Sequence, residues 1–275
     1  MRSIAVINQK GGVGKTTTAV NLSAAIAATG QRVCVIDLDP QAHASLHLGV
    51  VLGDSDPSVY DVLTGRATLA QVRQNLDDHL ALVPAHLNLA AAEMELVGEV
   101  GREVILRDQL RQDPEPFDFL VLDCPPSLGV LTLNALTTVN EVFLPLQPHF
   151  LALHGLSKLL QTIELVATRL NPQLRLAGVV MCMYESGTRL AAEVCHDVEE
   201  FFASQTRVNT SWAGAQVLQT KVRRNIRLAE APSFGQSILQ YAPKSHGAED
   251  YQCLAEEVLG HEIQHAALRI AEAAA

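Results

Sequence analysis

The sequence predicts an α/β protein built on a doubly wound, mainly parallel sheet flanked by helices. Three observations carry that expectation. Short apolar runs alternate with longer stretches of helix formers from residue 3 to residue 184. The apolar runs are near-continuous, as expected when both faces of a strand are covered. Hydrophobic residues make up 48% of the 275 and aromatics only 4%, so the core must be aliphatic.

Taken in order, "SIAVIN" (3–8) is the first strand, and "KTTTAVNLSAAIAATG" is a helix closed by Gly30 at its C′ position. "RVCVIDLD" (32–39) is the second strand. The stretch 50–75, which holds "VLGDSDPSVYDVLTGRATLAQV", is expected as a surface insertion. "HLALVPA" (79–85) is a third strand, followed by "NLAAAEMELVGEV", rich in helix formers. "FDFLVLDCPP" (117–126) is a fourth, ended by two prolines that cannot continue a central ladder. "NEVFLPLQP" (140–148) and "LRLAGVVMCMY" (174–184) are the fifth and sixth, with a long helix at about 151–170 between them. A helical tail occupies about 245–275. No linker, repeat or low-complexity tract divides the chain, so residues 1–275 are expected as one domain.

Composition narrows the function. Five cysteines (Cys34, Cys124, Cys182, Cys195, Cys253) are odd in number, widely spread and without a C-x-x-C pair. They read as reduced thiols in a cytoplasmic protein and exclude a disulfide framework. "MRSIAVINQK" is too soon interrupted for a secretory leader, and no apolar run approaches the roughly 20 residues of a membrane span. The net charge of −10 argues against a protein that coats nucleic acid. Against that background, "TKVRRNIRLAEAP" packs Lys221, Arg223, Arg224 and Arg227 into seven residues.

"INQKGGVGKTTTAVNLSAAIAATG" (7–30) places a glycine-rich turn between a strand and a helix, the context of a phosphate-binding loop. Backbone N–H groups of Gly11, Gly12, Val13, Gly14 and Lys15 can curl around a β-phosphate. The helix that begins near Lys15 turns its positive end toward the same anion. Lys15 is expected to bridge the β- and γ-phosphates, Thr16 to ligate Mg²⁺, and Thr17 to meet the α-phosphate. The strict motif wants glycine where Gln9 stands, and the loop carries an additional lysine, Lys10. "FLVLDCPP" supplies Asp123 at a strand end to hold the magnesium shell. "VCVIDLDP" supplies Asp37, a further metal candidate, and Asp39, which could position or deprotonate an attacking water.

"KGGVGKTTTAVNLSAAIA", "VIDLDPQ", "FLVLDCPPSLGVLTLNAL" and "RNIRLAEAPSFGQSILQYAPKSHGAEDY" together resemble the ParA/Soj family of DNA-partitioning ATPases. These belong to the deviant Walker A group of P-loop NTPases, and the resemblance runs to about residue 258. It implies a homodimer formed on ATP binding, with two ATP molecules between the protomers. By this matching Lys10 reaches the partner's nucleotide, Asp39 orients the lytic water, and Asp123 holds Mg²⁺ through water. Met183 and Pro232 are candidates for lining adenine. The resemblance further implies nonspecific binding of double-stranded DNA through Arg189, Lys221, Arg223, Arg224, Arg227 and Lys244. It also implies a ParB-like centromere-binding partner that stimulates slow hydrolysis, and a nucleoid-associated location with no membrane.

The chain departs from the family pattern in three places. A frequently basic position is Gly187 in "MYESGTR", with Arg189 the nearest arginine. The glycine often found after "DPQ" is Ala42, and the proline expected before "RN" is replaced by Val222 and Arg223. "HEIQH" (261–265) matches a zinc-protease pattern, but with only ten residues after it the better reading is a solvated helix face. Rival functions are a MinD-like or organelle-positioning ATPase with a protein cargo, and a metabolic enzyme of the same fold, either an iron–sulfur reductase or an amide-forming synthetase.

Overall fold

A computed structural model describes residues 1–150, 156–204 and 210–273, with side chains as far as residue 260. The six expected strands form as β1 (Arg2–Val6), β2 (Val33–Asp37), β4 (Leu80–Val83), β5 (Phe119–Asp123), β6 (Glu141–Leu146) and β7 (Arg175–Met181). Two short edge strands, β3 (Gln74–Asn75) and β8 (Gln216–Val217), complete an eight-stranded sheet of order β3-β4-β2-β5-β1-β6-β7-β8. All neighbours are parallel except β3 and β4. At two residues each, the edge strands are too short for periodicity to reveal them.

Strand alternation divides the interior into two aliphatic layers. Ile4, Val6, Val33, Val35, Phe119 and Val121 face one layer, and Ala5, Cys34, Ile36, Leu120 and Leu122 face the other. The first layer is roofed by α1 (Lys15–Ala27). The helices α2 (His43–His47), α3 (Val59–Leu63), α4 (Leu69–Val72), α5 (Leu89–Glu95), α6 (Ile105–Gln112), α7 (Val130–Thr138), α8 (Leu156–Arg169) and α9 (Arg189–Ser204) follow in chain order. Near the end, α10 (Ile226–Glu230), a 3-10 turn at Ala231–Phe234, α11 (Ile238–Tyr241) and α12 (His246–Ala273) return to the α1 side. The expected 151–170 helix is thus observed as α8, with 151–155 outside the described residues.

The 50–75 stretch corrects the expectation of a surface insertion. Residues 51–57 are largely exposed, but Val59, Val62, Leu63, Leu69 and Val72 are buried in the second layer. Two capping boxes, Ser58 with Asp61 and Thr68 with Gln71, start α3 and α4 and hold those apolar faces inward. The side chains of the "HEIQH" motif lie outside the described residues. No described helix is long and apolar enough to cross a membrane.

The sheet positions the site. β1 has β5 on one side and β6 on the other, so the turn after β1 opens at the point where strand order reverses, where ligands bind in open α/β sheets. In the β2–β5 pair, Asp37 lies in register with Asp123, which brings both strand-end carboxylates to the same edge as that turn.

Candidate functional site

The turn after β1 takes its shape from two glycines with left-handed backbone, Gly12 (φ 72°) and Gly14 (φ 95°). Gly14 is also the N-cap of α1 and carries no side chain to satisfy the first-turn N–H groups. Those donors are left for an anion, and the helix dipole adds to their pull. Lys15 is buried, and its Nζ donates to the Lys10 carbonyl oxygen at 3.2 Å, closing the loop on itself. Burial lowers the Lys15 pKa, while the negative charges of Asp123 and Asp39 pull it back up.

A cavity of about 810 Å³ opens over this turn. Gly11, Gly12, Gly14, Lys15, Thr16, Thr17 and Asp39 line one end together with Gln41, His43 and Pro126. The rest of the wall is formed by Met183, Val222 and the run Arg223–Ala229 without Arg227, with Cys182 and Tyr251 lying against Gly14 and Thr18 of the loop and α1. One end is polar and rich in backbone N–H groups, the other has an apolar wall, so the shape suits an anion joined to a flat apolar body.

The three carboxylates behave differently. Asp123 is fully buried, and neither of its oxygens has a hydrogen-bond partner. Burial first, and the neighbouring Asp37 second, push its pKa well above the usual carboxylate range; the Thr16 hydroxyl, close enough to favour the carboxylate though outside hydrogen-bond geometry, and the charge of Lys15 oppose. Two orphaned oxygens beside a lysine and a threonine are what a hydrated divalent cation would satisfy. Asp37 contrasts with it, because both of its oxygens have donors. One oxygen accepts from the Ser45 N–H at 2.9 Å and the Ser45 hydroxyl at 2.7 Å, and the other accepts from the Asp39 N–H at 3.1 Å. Like Asp123 it is absent from the cavity wall, and burial raises its pKa to about 6. Its geometry is that of a brace for the segment bearing Asp39. Asp39 itself lines the cavity, with one oxygen accepting from the Gln41 N–H at 2.9 Å.

Lys10 is exposed and does not line the cavity beside it; its amine contacts the His149 ring instead. Of the two adenine candidates, Met183 lines the far end, with a left-handed backbone (φ 50°). Pro232 sits at the start of the 3-10 turn and is not in the wall. The wall is made one turn earlier, by Val222, Ile226, Leu228 and Ala229. Sequence reading missed these residues because an apolar wall assembled from separate segments leaves no local pattern.

The basic cluster is also rearranged by the fold. Arg223 lines the cavity and is paired with Asp250 and Glu249. Arg224 pairs with Glu185 at 2.8 Å and Arg227 with Glu230 at 2.8 Å, both exposed. The Lys221 amine lies 5.0 Å from the centre of the Tyr184 ring. Arg189 and Lys244 are exposed and form no ion pair among the described residues. The seven-residue cluster therefore divides among three carboxylate partnerships and one aromatic ring. The cysteines are all free, with Cys253 alone exposed. Among the described residues, no group of three or more His, Cys, Asp and Glu is arranged to hold a metal ion.

Fold and site together define a P-loop α/β ATPase fold with a strand-end carboxylate facing the loop. A family model described as an AAA domain matches residues 1–176. The chain is 43% identical over 256 residues to the sporulation initiation inhibitor protein Soj of Bacillus subtilis, covering 93% of this chain and 97% of that one. It is likewise 43% identical over 266 residues to the chromosome partitioning protein ParA of Caulobacter vibrioides, covering 95% of each. Among solved structures, cobyrinic acid a,c-diamide synthase of Mycobacterium smegmatis, with bound ATP analogue and magnesium, superposes with a TM-score of 0.80. That pair shares 36% identity over 95% of each chain. The chain belongs to the Soj/ParA family of chromosome-partitioning ATPases.

Proposed function

We propose that this protein hydrolyses ATP slowly, pairs with a second copy when ATP is bound, and in that form holds DNA without sequence preference. The observation that carries the proposal is the unpartnered, fully buried Asp123 beside Lys15 and Thr16, at the mouth of an uncapped helix. A buried carboxylate without donors is costly, and ligand binding is what offsets it.

The phosphates of ATP lie against Gly11–Thr17, where backbone N–H groups hold them and Lys15 neutralises the β–γ bridge. Thr16 and Asp123 would hold Mg²⁺, which when bound would neutralise charge developing on the phosphates. Asp37 fixes the Asp39 backbone, and the Asp39 carboxylate orients water for attack on the γ-phosphate. The nucleoside fills the far end against Met183 and the 222–229 wall. Lys10 serves the nucleotide of a second protomer, offsetting transition-state charge in trans, a reading supported by its exposure outside its own cavity. Arg189, Lys221, Arg224, Arg227 and Lys244 supply the DNA contacts, which pairing of two protomers doubles. A ParB-like centromere-binding protein stimulates turnover, and the DNA-bound form sits on the nucleoid.

The test is DNA binding with ATP or ADP across a salt series, alongside light scattering. Binding with ATP alone, steep in salt and abolished together with the dimer in Lys10→Ala, is expected. Equal binding with both nucleotides, or an unaltered Lys10→Ala dimer, would refute the switch. The likeness to a diamide synthase favours one second reading, an amide-forming synthetase. It predicts turnover driven by a carboxylate substrate and an amino donor and indifferent to DNA.

A further inference from the structure

Arg223 was counted with the DNA-binding cluster, but its surroundings point inward. Its main-chain N–H donates to Asp250 Oδ2 at 2.8 Å, its Nε to Asp250 Oδ1 at 2.9 Å, and its Nη2 to Glu249 Oε2 at 2.7 Å. Asp250 is nearly buried in the first turns of α12, with its side chain 7% exposed. A proline at 223 would lack the N–H that makes the first of these bonds. The same stretch is tied on its other side to the end of β7. The Val222 carbonyl accepts from the Tyr184 N–H at 2.9 Å, and the Arg224 N–H donates to the Tyr184 carbonyl at 3.2 Å. Residues 222–224 thus form a strap between Met183–Tyr184 and α12, and that strap is the wall of the cavity's apolar end.

Resting on the ATPase reading above, we propose that Asp250 is a positioning residue that clasps Arg223 into the nucleoside end of the cavity. Arg223 acts there on the bound nucleotide and not on DNA. Both acids compensate its charge, leaving little for a phosphate backbone, while the strap it anchors presents Val222 and Asn225–Ala229 to the base. Two neighbours of Asp250 have the same function. Gly247 meets Leu228 so closely that a Cβ would lie 2.8 Å from its Cγ, and the Tyr251 hydroxyl lies 3.2 Å from the Thr18 hydroxyl on α1. The start of α12 therefore ties the nucleoside wall to the helix that carries the phosphate loop.

The experiment compares the full-length protein with Arg223→Ala, Asp250→Asn and the double variant. It reads fluorescence titration with an ATP analogue, competition by inorganic tripolyphosphate, and the salt slope of DNA binding. Each single change is expected to weaken ATP about five- to tenfold, and the double no further than the worse single, since both break one charge-assisted clasp. Tripolyphosphate, which touches only the other end, is expected to compete unchanged, and the DNA salt slope of Arg223→Ala is expected to match wild type. Unaltered ATP affinity in Arg223→Ala overturns the proposal. So does an equal loss of ATP and tripolyphosphate, which marks general damage. A salt slope lower by about 1 would return Arg223 to the DNA face. A wild-type chain that bound no ATP in the same titration would remove the reading of the site itself.

Discussion

At the phosphate end of the cavity, the residues from Gly11 to Thr17 occupy seven consecutive positions, and their work is done by backbone N–H groups, a helix start and one lysine. At the nucleoside end, Met183 and the Arg223–Ala229 run come from two separated segments, and side-chain partnerships with Glu185, Glu249 and Asp250 hold them. One end leaves polar groups unmatched, as the bare Asp123 oxygens and the uncapped Gly14 show. The other has most of its charges already paired. The lesson is that unmatched groups mark where a ligand must come, whereas a run of arginines in sequence says little until the carboxylates around it are known.

Lys15→Ala breaks the phosphate end most severely. ATP affinity is expected to fall at least about 100-fold, roughly 3 kcal/mol, in calorimetry; unchanged affinity would move the phosphate elsewhere. Asp123→Asn sharpens the contrast between unmatched and paired groups. Because burial favours the neutral Asp123 carboxyl in the ligand-free protein, its amide isostere should change stability by less than about 1 kcal/mol, while magnesium-dependent turnover is lost. A destabilised variant would mean that the carboxylate has a donor after all.

The segment joining the two ends can be probed by pH. His47 on α2 is buried, and burial lowers its pKa to about 4, with the Gln236 main chain opposing. Between pH 6.5 and about 4 the unfolded chain binds this proton and the folded chain does not, so stability falls as pH drops through that window. Asp37 acts oppositely: raised to about 6, it weakens the fold as pH rises from its unfolded value near 4 toward 6. Denaturation of His47→Asn across pH 4–6.5 should lose the acid-side decline and leave the Asp37 slope, and an unchanged profile would contradict it. The smallest effect is Ala42→Gly. Ala42 caps α2 with a left-handed backbone (φ 53°), where a Cβ costs about 1 kcal/mol, so glycine should raise the midpoint by a few degrees.

Legibility followed the same division. Six strands, the helix after the loop and the fold class could be read because buried parallel strands and an amphipathic rhythm are local signals. The positions of Lys15 and Thr16 at the loop and of Asp39 and Asp123 near strand ends could be read too, since a glycine turn and strand-end acids are local signals. The surroundings of Asp37 and the position of Pro232 outside the cavity wall were not legible, because the direction a residue faces depends on the fold around it. Asp37 follows the strand pattern as faithfully as Asp123, yet Ser45, eight residues on, folds back and occupies it.

The sequence alone determined that a strand, a left-handed glycine turn and a helix start would make an anion site. It also determined that acids would stand at the ends of the strands beside it, because backbone conformation and strand register follow from short stretches of chain. Only the tertiary structure decided which acid keeps bare oxygens, and which arginines remain for solvent. It also decided what closes the nucleoside end. Each of those depends on groups far apart along the chain, 27 positions in the clasp of Arg223 with Asp250, and burial sets their worth.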